Sequence, residues 1–377
     1  MQTSALRVYA HVLSDSGDGY DSQVRNEAAT YADDWVKLEP GDTGLIFADL
    51  NDRTSRLAQT LRSGYACLST SLTESAEGLL GSAATYDRTE QANNEQIDRV
   101  FPDVDPESLG DTDPRGARSD PEPAAQLKAP GTDGGIPDLA NYIIQPTVLA
   151  SPTGAILKIL ALAGLDPIGW LTDRLAGSPD SLGRVMNALD DLKSFEVTLN
   201  DGICDGAALM LTHWTGHAAD NAQDYFAKLS DALVDHANSL DSASHLYNEA
   251  ITAIGQFEEM LANLVGIFCD DLVAMVAASA AATCLAFVPG VDVLAAIYGA
   301  ARAYQLFEDW GKIAKIFDSV MTGARGLIAV CTALDSLCND IDIGKSLPST
   351  GYYNPAQGKP PYDGAGPPPA HGQKVPA

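Results

Sequence analysis

Positive charge is scarce in this chain. Lys and Arg number 23 against 51 Asp and Glu over 377 residues, for a formal net charge of −28. A surface this acidic repels phosphate backbones and excludes nucleic acid as a partner; it also argues against docking on anionic lipid by charge alone. Aromatic residues are few, at 7%, although 45% of the chain is hydrophobic. Ala and Leu dominate the apolar set, which favours helix over sheet. Cysteine is thin as well. Cys67, Cys204, Cys269, Cys284, Cys331 and Cys338 form no C-x-x-C pair and have no His at zinc-ligand spacing. On one helix, Cys331 and Cys338 would have Cα atoms ~10 Å apart, too far to bond directly. The six read as small buried apolar residues, with one disulfide between helices left open for an exported chain.

Catalytic motifs are missing too. There is no G-x-S-x-G, phosphate loop or dinucleotide fingerprint. His213 and His217 are four apart, but Gly216 lies between them and no H-E-x-x-H is formed. They are expected to be polar groups beside a turn. Adjacent carboxylates such as Asp190-Asp191, Glu258-Glu259 and Asp270-Asp271 diverge by about 100° on a helix and share no site. The chain is read as non-enzymatic, with no cofactor and no metal. Residues 1–19 lack a basic start followed by a long apolar run, so no cleaved signal peptide is expected.

What the sequence does hold is helical periodicity. Tyr20, Val24, Ala28, Tyr31, Trp35 and Leu38 step by four, four, three, four and three. Pro40-Gly41-Asp42-Thr43-Gly44 then turns the chain. Leu50, Leu57, Leu61, Leu68, Leu72 and Leu79 line one face of a second helix. Residues 1–100 are therefore expected to form a helical hairpin, with Ala5 to Leu13 as a short helix or strand before it. Tyr86 and Glu90 are expected just past this second helix. Four residues apart, they share a helix face that one receptor groove could read.

A second hairpin is expected over 138–265. Leu182, Val185, Leu189, Leu192, Leu199 and Ile203 repeat at helical spacing, as do Tyr225, Leu229, Leu233, Leu240, Tyr247, Ile251 and Ile254. Between them stands Leu211-Thr212-His213-Trp214-Thr215-Gly216-His217. Gly216 can take the positive φ that a chain reversal needs, and Trp214 offers an apolar plate to lock two helix ends together.

Trp214-Thr215-Gly216 between long amphipathic helices resembles the WXG superfamily of helical-hairpin proteins, substrates of type VII (ESX) secretion in actinobacteria. Tyr86-Asp87-Arg88-Thr89-Glu90 matches the Y-x-x-x-D/E signal that such substrates carry at the end of a hairpin. The first module resembles the EspC-like, ESX secretion-associated proteins. Asp166-Pro167-Ile168-Gly169-Trp170-Leu171 and Gly177-Ser178-Pro179-Asp180 resemble the N-terminal scaffold of long actinobacterial WXG proteins. The resemblance implies a secreted or cell-surface protein that uses the type VII machinery as partner and leaves without a cleaved signal peptide. Tyr86 and Glu90 would be the export signal; Trp214 and Gly216 would shape the hairpin turn. It also implies that the two modules pack as a pseudo-heterodimer with Trp214 near Tyr86. Otherwise a separate WXG-type hairpin would supply each missing half.

The expected fold class is all-α. Between the hairpins, 101–137 reads as an acidic Pro/Gly linker that buries too little to order itself. Residues 266–344 read as an apolar helical bundle. Within it Leu272 to Val288 carries no charge, and Val291 to Phe307 holds only Asp292 and Arg302. The 265–310 hairpin is either a buried core element or, as the alternative function, a membrane-inserting or pore-forming one. Residues 345–377 read as a disordered Pro-rich tail, apolar only at Tyr352-Tyr353.

Overall fold

The computed structural model describes residues 2–15, 18–38, 48–100, 122–131, 179–285, 328–338, 340–349 and 351–353. Among them the regular structure is helical, with no strand. The turn at 40–44, the segments 101–121 and 132–178, the 286–310 half of the apolar hairpin and the tail beyond 353 lie outside the described residues.

Helix α1 (Thr3–Leu13) settles the ambiguous first segment and buries Leu6, Tyr9, Ala10 and Leu13. Next, α2 (Tyr20–Ser22), a π turn (Gln23–Ala28) and α3 (Ala29–Trp35) continue as one rod. The π turn falls within the two four-residue steps, and Tyr20, Val24 and Ala28 share one face, as positions i, i+4 and i+8 do on an α-helix too. All three are buried.

The three long helices are α4 (Ala48–Val100), α5 (Pro179–Thr212) and α6 (His217–Leu285). With 53 and 69 residues, α4 and α6 reach ~80 and ~100 Å. In α4 the buried leucines alternate seven and four apart, an 11-residue repeat that keeps a seam on a nearly straight helix. In α5 and α6 the seam is heptad. Leu182, Leu189, Glu196, Ile203 and Met210 recur every seven residues on α5, as do Ala222, Leu229, His236, Ala243 and Ala250 on α6. The two helices fold back on each other at Trp214 and run antiparallel, with Lys193 Nζ meeting Asp241 at 2.5 Å and Cys204 meeting Ser230 at 3.3 Å.

A polar layer crosses the middle of this seam. Glu196 Oε1 accepts the Tyr65 hydroxyl at 2.7 Å and lies 2.6 Å from His236 Nδ1. All three side chains are buried, and Glu196 Oε2 and His236 Nε2 find no partner among the described residues. Each residue comes from a different long helix.

Tyrosines fasten the first hairpin to the second, which is how a chain poor in aromatics uses them. Tyr9 donates to Ile203 O at 2.9 Å, Tyr31 to Asp191 at 2.7 Å and Tyr225 shares a 2.9 Å bond with Ser75. Tyr247 and Thr54 lie 2.6 Å apart. The Tyr9 and Tyr20 rings fill the space where side chains at Gly206 and Gly202 of α5 would stand. Apolar residues of both hairpins belong to one contiguous core.

Burial holds these phenols neutral. It pushes Tyr9, Tyr65, Tyr31 and Tyr247 upward, and Tyr225 to about 12 against an ordinary value of 10.0. Above pH 10 the unfolded chain therefore binds fewer protons than the fold, and stability falls as pH rises through the folded values. In an alkaline titration, tyrosinate absorbance from these residues is expected to rise together with loss of helical circular dichroism. Their ionisation with the helix signal intact would contradict the packing.

Two expectations of disorder do not hold. Residues 122–131 are not an unpacked linker. Pro123 opens a 3-10 turn (Pro123–Gln126) and is buried, Lys128 O accepts Tyr31 at 2.6 Å and Gly131 O accepts Asn187 at 2.8 Å. Proline fixes its own φ, so ordering this stretch costs little chain entropy. Nor is the start of the tail loose: α7 (Ile343–Ser346), Leu347 and Tyr352 dock on the bundle. Residues 328–338 are helical, and no helix among the described residues is long and apolar enough to cross a membrane.

Candidate functional site

The α5–α6 reversal is built on Gly216. It has φ +103°, the one positive φ among the described residues, and its carbonyl accepts the amides of Ala219 at 2.8 Å and Asp220 at 3.0 Å to start α6. A Cβ there would meet nothing within 4 Å, so the demand for glycine is conformational and not steric. The turn is tied to α1 by the Gln2 amide, which donates to His213 O at 3.5 Å.

Trp214 sits at the end of the bundle with 1% exposure. Its Nε1–H donates to the Tyr86 hydroxyl at 3.4 Å, joining the turn of the second hairpin to α4 of the first. The expected meeting of these two residues is thus present in the fold. Tyr86 and Glu90 do not follow the helix; they lie inside it, because α4 continues to Val100. Tyr86 is half-buried and carries the α4 seam past Leu79 and Ala83. Glu90, one turn on, is exposed. Asp87 pairs with Arg7 of α1, which braces α4 at this level.

Tyr352 is a member of this site that the sequence did not single out. Its ring stands edge-on to Trp214 at 6.1 Å and to Tyr225 at 6.0 Å and stacks on Phe226 at 6.3 Å. Tyr225 and Phe226 are themselves edge-to-face at 5.2 Å, and Tyr9 closes the cluster against Phe226 at 5.1 Å. Such perpendicular and offset pairs suit the ring quadrupoles. The Tyr352 hydroxyl donates to Ala218 O at 3.0 Å and also bonds Ser82, one turn before Tyr86. Burial pushes its phenol upward, and the neighbouring Tyr86 adds to that. The only hint in the sequence is the Tyr352-Tyr353 pair within a stretch otherwise short of apolar residues.

His213 and His217 are both exposed and flank the turn without converging; His217 Nδ1 lies 3.9 Å from Asp220. Among the described residues no group of His, Cys, Asp and Glu could hold a metal ion. The site instead places an aromatic seam at one end of two joined hairpins, with Asp87 paired to Arg7 and Glu90 exposed one turn beyond Tyr86. No protein-family model, curated protein or solved structure matches this chain.

Proposed function

We propose that the chain is a substrate of, or a secretion-associated factor for, a bacterial type VII secretion system, working through helix–helix recognition without catalysis. On this reading the first hairpin carries the export signal, Tyr86 and Glu90, and the second carries the Trp214-x-Gly216 turn that a partner protein would otherwise bring. The two halves meet in one chain as a pseudo-heterodimer. The observation that supports it is the Trp214 Nε1 to Tyr86 hydroxyl hydrogen bond of 3.4 Å. It couples the two motifs across 128 residues of sequence and leaves Glu90 facing solvent one turn away. A transport receptor would then read one composite surface, and the protein would reach the medium or the cell surface through that system.

Export from a host with an active type VII system tests the proposal. Tyr86→Ala is expected to move the protein from medium to cell pellet, whereas Tyr86→Phe, which keeps the ring, retains most export. Equal export of Tyr86→Ala and the unaltered chain would remove the proposal.

A further inference from the structure

We infer that Gly351 to Tyr353 form a latch, a strap that opens separately from the bundle and uncovers the Tyr86 face when it does. The strap follows α7 and runs along α4 on a track cut by glycines. Ile343 Cγ2 lies 2.8 Å from where a Cβ on Gly64 would stand, and Tyr352 O lies 2.1 Å from the corresponding point on Gly78. Gly351 in turn passes Glu74 so closely that its own Cβ would fall 2.3 Å from Glu74 Cβ. Glycine inside a long helix weakens it, so Gly64 under α7 and Gly78 under the strap are best explained by the close approach they allow.

The strap is held differently from the helices. Its two anchoring amides, Gly351 and Tyr352, donate to side chains, Glu74 Oε2 and Ser75 Oγ, both at 2.9 Å. No backbone ladder joins it to the bundle at these points, so it can leave without breaking a helix hydrogen bond. Leu347 stays in the core behind it, and what the latch itself buries is chiefly one ring. Tyr352 covers the seam between α4 and α6, bonded to Ala218 on one side and Ser82 on the other, beside Trp214 and Tyr86. Lifting that ring exposes the flank of Tyr86 and leaves the Trp214 hydrogen bond in place. The sequence beyond it, 354–377, is rich in Pro and Gly and continues directly from the latch. The consequence for export rests on the reading of Tyr86 as a signal; the latch itself does not.

Hydrogen exchange on the unaltered full-length chain tests the opening. The Gly351 and Tyr352 amides are expected to exchange at least about tenfold faster than those of 65–72 in α4, the signature of local opening. Equal rates would make the strap part of the cooperative core and overturn the latch. The full-length variants Tyr352→Ala and Gly351→Val are expected to keep their helical circular dichroism while nitration of Tyr86 by tetranitromethane speeds up severalfold. Unchanged nitration, or loss of the helical signal in both variants, overturns it as well. Faster nitration together with unaffected export of Tyr86→Ala would keep the latch and remove the export reading. Unchanged nitration with blocked export would do the reverse.

Discussion

Glu196→Ala is expected to destabilise the fold by ~3–5 kcal/mol, the cost of breaking a buried ionic or hydrogen-bonded pair from one side. The carboxylate is fully buried and serves two donors, the Tyr65 hydroxyl at 2.7 Å and His236 Nδ1 at 2.6 Å. Removing it strands both where water does not reach, and each stranded polar group carries its own desolvation cost. The layer also has a positional role. Glu196 and His236 take the central places in runs of five seam residues spaced seven apart, with Leu, Ile, Met or Ala on either side. A heptad seam of interchangeable apolar residues tolerates a slip, and a single polar layer forbids it, because any other register buries the charge unpaired. The triple replacement Tyr65→Phe, Glu196→Leu, His236→Leu should therefore unfold no more easily than the unaltered chain. It should lose uniqueness of packing, seen as broadened side-chain resonances. Denaturant midpoints of the single and triple variants check both statements; a Glu196→Ala midpoint unchanged from the parent would contradict the first.

Trp214→Ala is the second large effect, at ~3–5 kcal/mol for emptying a buried tryptophan site. The indole is among the largest fully buried side chains and closes one end of the core. Its loss removes the edge-on partner of Tyr352 and the donor to Tyr86 together. The damage is expected to be local in space, at the turn, the strap and the stretch of α4 around Tyr86. Tyr65, Glu196 and His236 lie in the middle of the seam and should keep their hydrogen-exchange protection relative to the lowered global stability. Urea unfolding gives the total. A midpoint shift equal to that of Trp35→Ala, where the ring is only partly buried, would deny Trp214 its place in the core.

The sequence disclosed the long helices because their apolar residues keep a fixed period over many turns. Leu50 to Leu79 and Leu182 to Ile203 are all buried where the spacing puts them. Gly216 was legible for a similar reason, since a glycine between two such runs has few uses besides a reversal. The polar layer was not, because Glu196 and His236 look like interruptions of an apolar face when they are in fact members of it. Only continuing the seven-residue count through them would have found them. The π turn was not legible, because the four-residue steps from Tyr20 to Ala28 also fit the apolar stripe of an ordinary α-helix. Tyr352 stood out only as half of an apolar pair in the tail, and nothing in the sequence tied it to this site. Its partners Ser75, Ala218 and Phe226 are remote in sequence, and the residues around it carry no period. The meeting of Tyr86 with Trp214 lies between these cases: each residue stood out, but only resemblance to paired hairpins joined them.

Export of Glu90→Ala measures the central claim most directly, because Glu90 is exposed and lies outside the core that Tyr86 helps to close. The variant should fold like the parent, with the same thermal midpoint. If Tyr86 and Glu90 are read together at the mouth of a type VII system, the protein accumulates folded in the cell pellet and its share in the medium falls about tenfold, as loss of one charged contact of ~1.4 kcal/mol implies. An unchanged division between medium and pellet would contradict the account.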